Sequence, residues 1–198
     1  MTPPPHSTQR NTRRGKGRRT CRPLLLLDVD GPLNPFAAHL PARLNPRMRG
    51  YRTHRVLPPG YAARATDAGR EAKPLRVRLN PAHGPALLGL DYDLVWATTW
   101  GADANDLIGP VLGLPPLPVI EWPEMFQPEL DGLFWKTRHL VAWAQGRPFA
   151  WVDDAITRKE RRFVSAHHAG PALLHHVDPR WGLRAQDFTA LARWAAGR

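Results

Sequence analysis

The chain has 198 residues, 42% of them apolar and 23% charged, with one cysteine and a formal net charge of +11. That length suffices for one domain with a working core and no disulfides, and a lone Cys21 provides neither an internal disulfide nor a Cys-rich zinc site. The longest purely aliphatic run, 24–27, is far shorter than the ~18 residues of a membrane span and too short for a secretory signal core, so a soluble, cytoplasmic protein without a membrane partner is expected.

Residues 1–22 hold seven arginines and lysines, no acid and three prolines, a composition expected to be a disordered basic tail. Such an arm attracts nucleic acid non-specifically, or is an incidental extension. Pro23–Asp28 follows as a buried strand, an aliphatic run that ends in acid and then glycine. Five prolines between 34 and 60 argue against a long helix there. Leu75, Val77 and Leu79 alternate with Arg76 and Arg78, the pattern of a half-exposed strand, and Arg52–Leu57 is its expected hairpin partner. Residues 43–78 carry ten arginines and lysines against Asp67 and Glu71, so outside this segment and the tail the chain is net acidic. Arg47, Arg49, Arg52, Arg55, Arg76 and Arg78 could hold an anionic substrate or line a solvated face.

Further along, 85–90 is expected as a short helix, 93–98 as a second buried strand, 102–112 as a helix and 117–121 as a short strand. An amphipathic helix over 133–144, a strand over 148–152, a helix over 156–166, a strand over 172–177 and a helix over 185–196 complete the chain. Strands alternating with helices indicate an α/β domain with a mainly parallel sheet. Trp96, Trp143, Trp151 and Trp194 lie in apolar contexts and are expected in the core, whereas Trp100 and Trp135 neighbour the residues discussed next and could line a pocket there. The pairs His167-His168 and His175-His176 lack a joining cysteine and are expected to be structural; His83 sits in a loop leading into a helix.

Three apolar strands end in polar residues: Asp28-Val29-Asp30, Thr98-Thr99 and Asp153-Asp154. Ligands of parallel α/β sheets bind beyond the carboxyl ends of the strands, so these residues are expected to converge. Past the first strand, Asp28 and Asp30 can present two carboxylates to one point, or one carboxylate and a backbone carbonyl. With Asp153 and Asp154 they form a hard-oxygen set suited to Mg2+, which takes few protein carboxylates and keeps water and substrate phosphate. A threonine hydroxyl, of Thr98 or Thr99, can bond a phosphoryl oxygen. Lys136, one of only four lysines beside 24 arginines, offers a compact ammonium that can neutralise a phosphoryl group and separate crowded carboxylates.

Asp28-Val29-Asp30-Gly31 after 24–27, Thr98 after 94–97, Lys136 at a helix start and Asp153-Asp154 after 149–152, in that order, resemble the haloacid dehalogenase superfamily of phosphohydrolases. The resemblance spans 23 to about 180 and implies a Rossmann-like three-layer α/β/α hydrolase domain over 23–198. It implies Asp28 as nucleophile, Asp30 as general acid and base, and Thr98 and Lys136 as phosphoryl ligands. Asp153 would ligate Mg2+, with Asp154 acting through water. The chain is more loosely similar to compact members of that superfamily with Trp-Ala-Thr strands, some associated with RNA repair. Inserts after the first motif serve as caps in this superfamily, and 34–92 here implies a small hairpin-like cap or flap that includes the arginine-rich segment. The expected activity is that of a Mg2+-dependent phosphomonoesterase acting on a phosphorylated substrate such as a nucleotide or nucleic-acid end. The alternatives are a small-metabolite phosphatase, or a nucleic-acid-binding or regulatory protein on the same fold without turnover.

Overall fold

Four consecutive leucines, all buried, fit a strand that is covered on both faces. The computed structural model describes residues 21–38, 48–123 and 125–197. Its elements run β1 (Leu24–Leu27), β2 (Arg52–Val56), α1 (Pro59–Asp67), β3 (Leu75–Leu79), α2 (His83–Leu88) and β4 (Asp93–Trp96). A π-helical turn (Ala104–Ile108) then leads into α3 (Gly109–Leu112), followed by α4 (Lys136–Ala144), β5 (Phe149–Asp153), α5 (Arg158–His167), β6 (Ala172–His176) and α6 (Ala185–Ala196). Most of the tail expected over 1–22, and Arg47, lie outside the described residues.

β1 is central in a four-stranded, wholly parallel sheet of order β4-β1-β5-β6. Leu25 and Leu27 point into one core with Leu94, Trp96, Ala150 and Val152, capped by Leu87 of α2, Leu112 of α3 and Leu191 of α6. Leu24 and Leu26 point into the other with Val95, Phe149, Trp151 and Leu174, capped by Leu140 of α4 and Val164 of α5. Each leucine so buried contributes about 1.5–3 kcal/mol relative to exposure. This is a Rossmann-like α/β arrangement: helices on both faces of a parallel sheet, with the chain crossing from β4 on one flank of β1 to β5 on the other. Loops at that crossover open a crevice at the carboxyl ends of β1, β4 and β5.

The expected partnership of Arg52–Leu57 with 74–79 holds, since β2 pairs antiparallel with β3 in a separate two-stranded sheet. It is not a simple hairpin, because α1 lies in the connection. Pro58-Pro59-Gly60 looks like a helix breaker, yet proline in the first turn loses only an N–H that has no partner there, and its fixed φ suits the helix. The strand expected over 117–121 is reduced to an isolated bridge between Trp96 and Val119. Trp96 donates to the Pro118 carbonyl at 2.8 Å and Ile120 donates back to Trp96 at 2.9 Å, while Pro115, Pro116 and Pro118 have no N–H with which to extend the ladder. The helix expected over 102–112 is wider-wound at its start, where Pro110 cannot donate to the carbonyl four residues back.

The expected helix over 133–144 begins at Lys136, and Lys136, Leu140 and Ala144 form its buried stripe. Trp143 flanks that stripe and is 37% exposed, contrary to its expected place in the core. Trp96 and Trp151 are fully buried, and Trp194 is half-buried, stacked on Tyr92 at 6.2 Å. No helix among the described residues is long and apolar enough to cross a membrane.

Candidate active site

β1 and β5 run side by side, so the residues just after β1 and at the end of β5 lie next to each other at one end of the sheet. Asp28, Asp153 and Asp154 each place a carboxylate oxygen within 4.8 Å of the others. Lys136, at the start of α4, reaches into this corner and bridges two of the acids, with Nζ 2.6 Å from Asp28 Oδ2 and 2.9 Å from Asp153 Oδ2. The corner is dry: Lys136 is 2% exposed and Asp153 fully buried. The rings of Phe134 and Trp135 lie 5.6 and 5.9 Å from the ammonium.

Local backbone geometry fixes the carboxylates. Asp28 Oδ1 accepts the Val29 N–H at 2.7 Å, and Asp153 Oδ1 accepts the Ala155 N–H at 2.8 Å. The Trp151 indole donates to Asp153 Oδ2 at 3.2 Å. Gly31 adopts φ +91, and a Cβ there would lie 2.7 Å from the Cβ and Cγ of Asp154. Glycine is therefore required twice, for the left-handed turn and for the approach of Asp154.

One ammonium among three acids leaves the corner short of positive charge. Burial pushes the Asp28 carboxyl up to about 8, with Asp153 adding and Lys136 opposing. Burial and then Asp153 raise Asp154 to about 6. Burial works against the Lys136 ammonium, but Asp28 and Asp153 outweigh it and hold its pKa above the usual lysine value. A cation entering this corner would offset the excess carboxylate charge. The donors are hard oxygens of the kind that Mg2+ and Ca2+ take, and the gap kept open by Gly31 lets Asp154 join them, so the residues present fit a divalent cation.

Asp30 stands apart from that cluster. Its Oδ2 accepts the Trp100 indole N–H at 2.9 Å and its Oδ1 accepts the Asn34 amide at 2.7 Å. Asn34 Oδ1 in turn accepts the Arg78 N–H at 2.9 Å, which ties the Asp30 turn to β3. Asp30 is thus held as a separate carboxylate beside a cavity, and the acids that could share a cation are Asp28, Asp153 and Asp154, without the Asp30 side chain that was expected among them. Thr98, two residues beyond β4, is fully buried, and its Oγ1 accepts the Trp100 N–H at 3.4 Å. Thr99 is half-buried and lines the adjoining cavity.

The other candidates separate from the site. His175 bonds Asp187 at 3.0 Å, and His168 meets the Arg147 carbonyl at 3.0 Å. His83 is buried between the rings of Tyr51 and Phe188. Arg78 is buried and donates to the Pro35 and Ala38 carbonyls at 3.2 Å each, so it braces a loop. Arg49, Arg52, Arg55 and Arg76 are exposed and make no ion pair among the described residues. Sequence reasoning missed Asn34, as well as Tyr61 and Arg64 on α1, which line a cavity of about 400 Å3 beside Asp30. Asn34 follows Asp30 by four residues, a separation that carries no signal outside a helix.

No protein-family model matches this chain, and neither does any curated protein or solved structure.

Proposed function

We propose that this protein is a Mg2+-dependent phosphomonoesterase that works through an aspartyl-phosphate, with the chemistry of the haloacid dehalogenase superfamily. The observation that carries this reading is one buried ammonium bridging Asp28 and Asp153 at the ends of adjacent strands, with a second, independently held carboxylate, Asp30, two residues on. A structural ion pair needs one acid, and the surplus acids are costly to bury unless a cation joins them.

In the first step an Asp28 carboxylate oxygen attacks phosphorus in line. The bond from phosphorus to the leaving oxygen breaks as Asp30 gives that oxygen its proton. In the second step Asp30 takes a proton from water, the water oxygen attacks phosphorus, and the Asp28–phosphorus bond breaks. Free phosphate leaves and the Asp28 carboxylate is regenerated. The covalent intermediate divides one difficult displacement into two, and proton transfer by Asp30 contributes about 10²–10⁴-fold. Lys136 stabilises negative charge on the phosphoryl oxygens, assisted by the hydroxyl of Thr98 or Thr99. Mg2+, held by Asp28, Asp153 and Asp154, would neutralise charge on the transferring group.

Phosphate release from phenyl phosphate with and without Mg2+, for the wild type and Asp28→Asn, tests the reading. Release that requires Mg2+ and disappears in the variant supports it. Release that survives Asp28→Asn would refute the mechanism, and a folded wild type that binds oligonucleotides but releases nothing would favour a binding protein on this fold.

A further inference from the structure

An in-line displacement places the leaving oxygen opposite the nucleophile and within reach of the general acid. On the reading above, whatever carries that oxygen occupies the space beside Asp30 on the side away from Asp28. Asp30 forms part of the wall of a cavity of about 400 Å3, within the ~300–1,000 Å3 typical of small-molecule sites. A neighbouring cavity of about 310 Å3 shares Arg64, Thr99, Trp100 and Asp103 with it.

The chemistry of this wall is specific. Tyr61 and Arg64, three apart on α1, both line it. Trp100 is fixed by its bond to Asp30. Phe126 completes the aromatic lining; it is 65% exposed and sits at φ +63. A left-handed backbone costs a non-glycine residue about 1–2 kcal/mol; the Phe126 ring packs at a tilt on Trp135, 5.5 Å between centroids, and its remaining surface stays exposed beside the cavity. Arg64 and Arg70, both exposed, also line the cavity, and neither has an ion-pair partner among the described residues. Asp103 lines the cavity as well, and its Oδ2 accepts the Gly60 N–H at 2.9 Å, which docks the start of α1 on the core. Lys136 serves the scissile phosphoryl group, so Arg64 and Arg70 are left for a second anionic group.

We infer that this cavity is the leaving-group pocket and that it takes a nucleotide: an aromatic base among Tyr61, Trp100 and Phe126, with a second phosphate on the sugar held by Arg64 and Arg70. A sugar phosphate would leave the rings uncovered, and a plain aryl ester would leave the arginines without a partner. The same chemistry occurs in a free nucleoside bisphosphate and at the phosphorylated end of a nucleic acid.

The inference rests on the phosphomonoesterase reading, and its test separates the two. kcat/KM is measured for phenyl phosphate, adenosine 5′-monophosphate, adenosine 3′,5′-bisphosphate and a 5′-phosphorylated dinucleotide, in the wild type and in Arg64→Gln/Arg70→Gln. The expected order places the two esters that carry a second phosphate group above the monophosphate and phenyl phosphate. The double variant is expected to lower the ratio of bisphosphate to phenyl phosphate kcat/KM by about 10–100-fold, the loss for one or two charge-assisted hydrogen bonds. Preference for the dinucleotide over the bisphosphate would assign a nucleic-acid end, and the reverse a free nucleotide. A ratio unmoved by the double variant, with Asp28-dependent release intact, overturns the pocket and leaves the activity standing. If no ester turns over, quenching of tryptophan fluorescence by adenosine 3′,5′-bisphosphate decides: saturable quenching weakened by the double variant keeps the pocket, and its absence overturns it.

Discussion

The acidic corner and the arginine-bearing two-stranded sheet handle charge in opposite ways. In the corner, Lys136 and Asp153 are almost wholly buried, and each charged atom is placed by a named partner. On the two-stranded sheet of β2 and β3, Arg55 faces Arg76 directly across the ladder, both exposed and neither ion-paired among the described residues. Burying charge is costly and tolerates few arrangements, whereas exposed charge is cheap to place and heavily screened. Substitutions in the corner should therefore have large, specific effects, and substitutions on the two-stranded sheet small ones.

The sharpest break in that contrast would come from Asp28→Asn. It is expected to lower phosphate release by about 10⁴-fold or more, as removal of a covalent nucleophile does, with little change in fold by circular dichroism. Next, Lys136→Met leaves Asp28 and Asp153 buried without their cation, and urea unfolding should show a loss of about 3–5 kcal/mol. Added Mg2+ should recover part of that loss, because a ligand of the native state stabilises it by mass action. A Lys136→Met protein as stable as wild type would mean that the corner is wetter than its geometry implies.

His83 lies between the two extremes, buried and titratable but in no ion pair among the described residues. Burial lowers its pKa from 6.5 to about 4, only partly offset by Asp187 and the Leu183 backbone. Between those values the unfolded chain binds the proton and the folded one does not, so stability falls as pH drops from 6.5 towards 4 and is fully present above 6.5. The shift amounts to roughly 3 kcal/mol. Because Asp28 and Asp154 titrate with the opposite sign, the measurement is the difference in stability between wild type and His83→Leu across that window. A difference that stays flat with pH would show that His83 ionises freely. The smallest effect is expected from Arg76→Thr. Removing one of two like charges directly opposite should raise stability by a few tenths of a kcal/mol, up to about 1, and the gain should shrink at high salt.

Much of the corner was legible in the sequence because its residues end short apolar runs. Asp28 follows four leucines and Asp153 closes 149–153, so parallel pairing alone brings them together. Lys136 stood out by rarity. Of the cavity only Trp100 was legible, as a neighbour of Thr98; Tyr61 and Phe126 come from separate segments and meet it only through tertiary packing. α1 was hidden for a local reason: its prolines sit where a helix tolerates them, in the first turn. Trp143 was misplaced because an apolar side chain on a helix flank follows nearly the same period as one on the buried stripe.

The segment docked against β4 has a bearing on how the protein behaves at high concentration. An open parallel sheet has two edges, and an unpaired edge can template pairing with another molecule. At one edge, 117–120 satisfies Trp96 on both its N–H and its carbonyl. Pro115, Pro116 and Pro118 withhold the donors that a further strand would need. At the other edge, Arg161 of α5 donates to the Leu174 carbonyl of β6 at 2.6 Å. Each edge is thus partly covered, by a proline-studded strap at Trp96 on one side and by a guanidinium at Leu174 on the other, which leaves fewer free groups for edge-to-edge pairing between molecules.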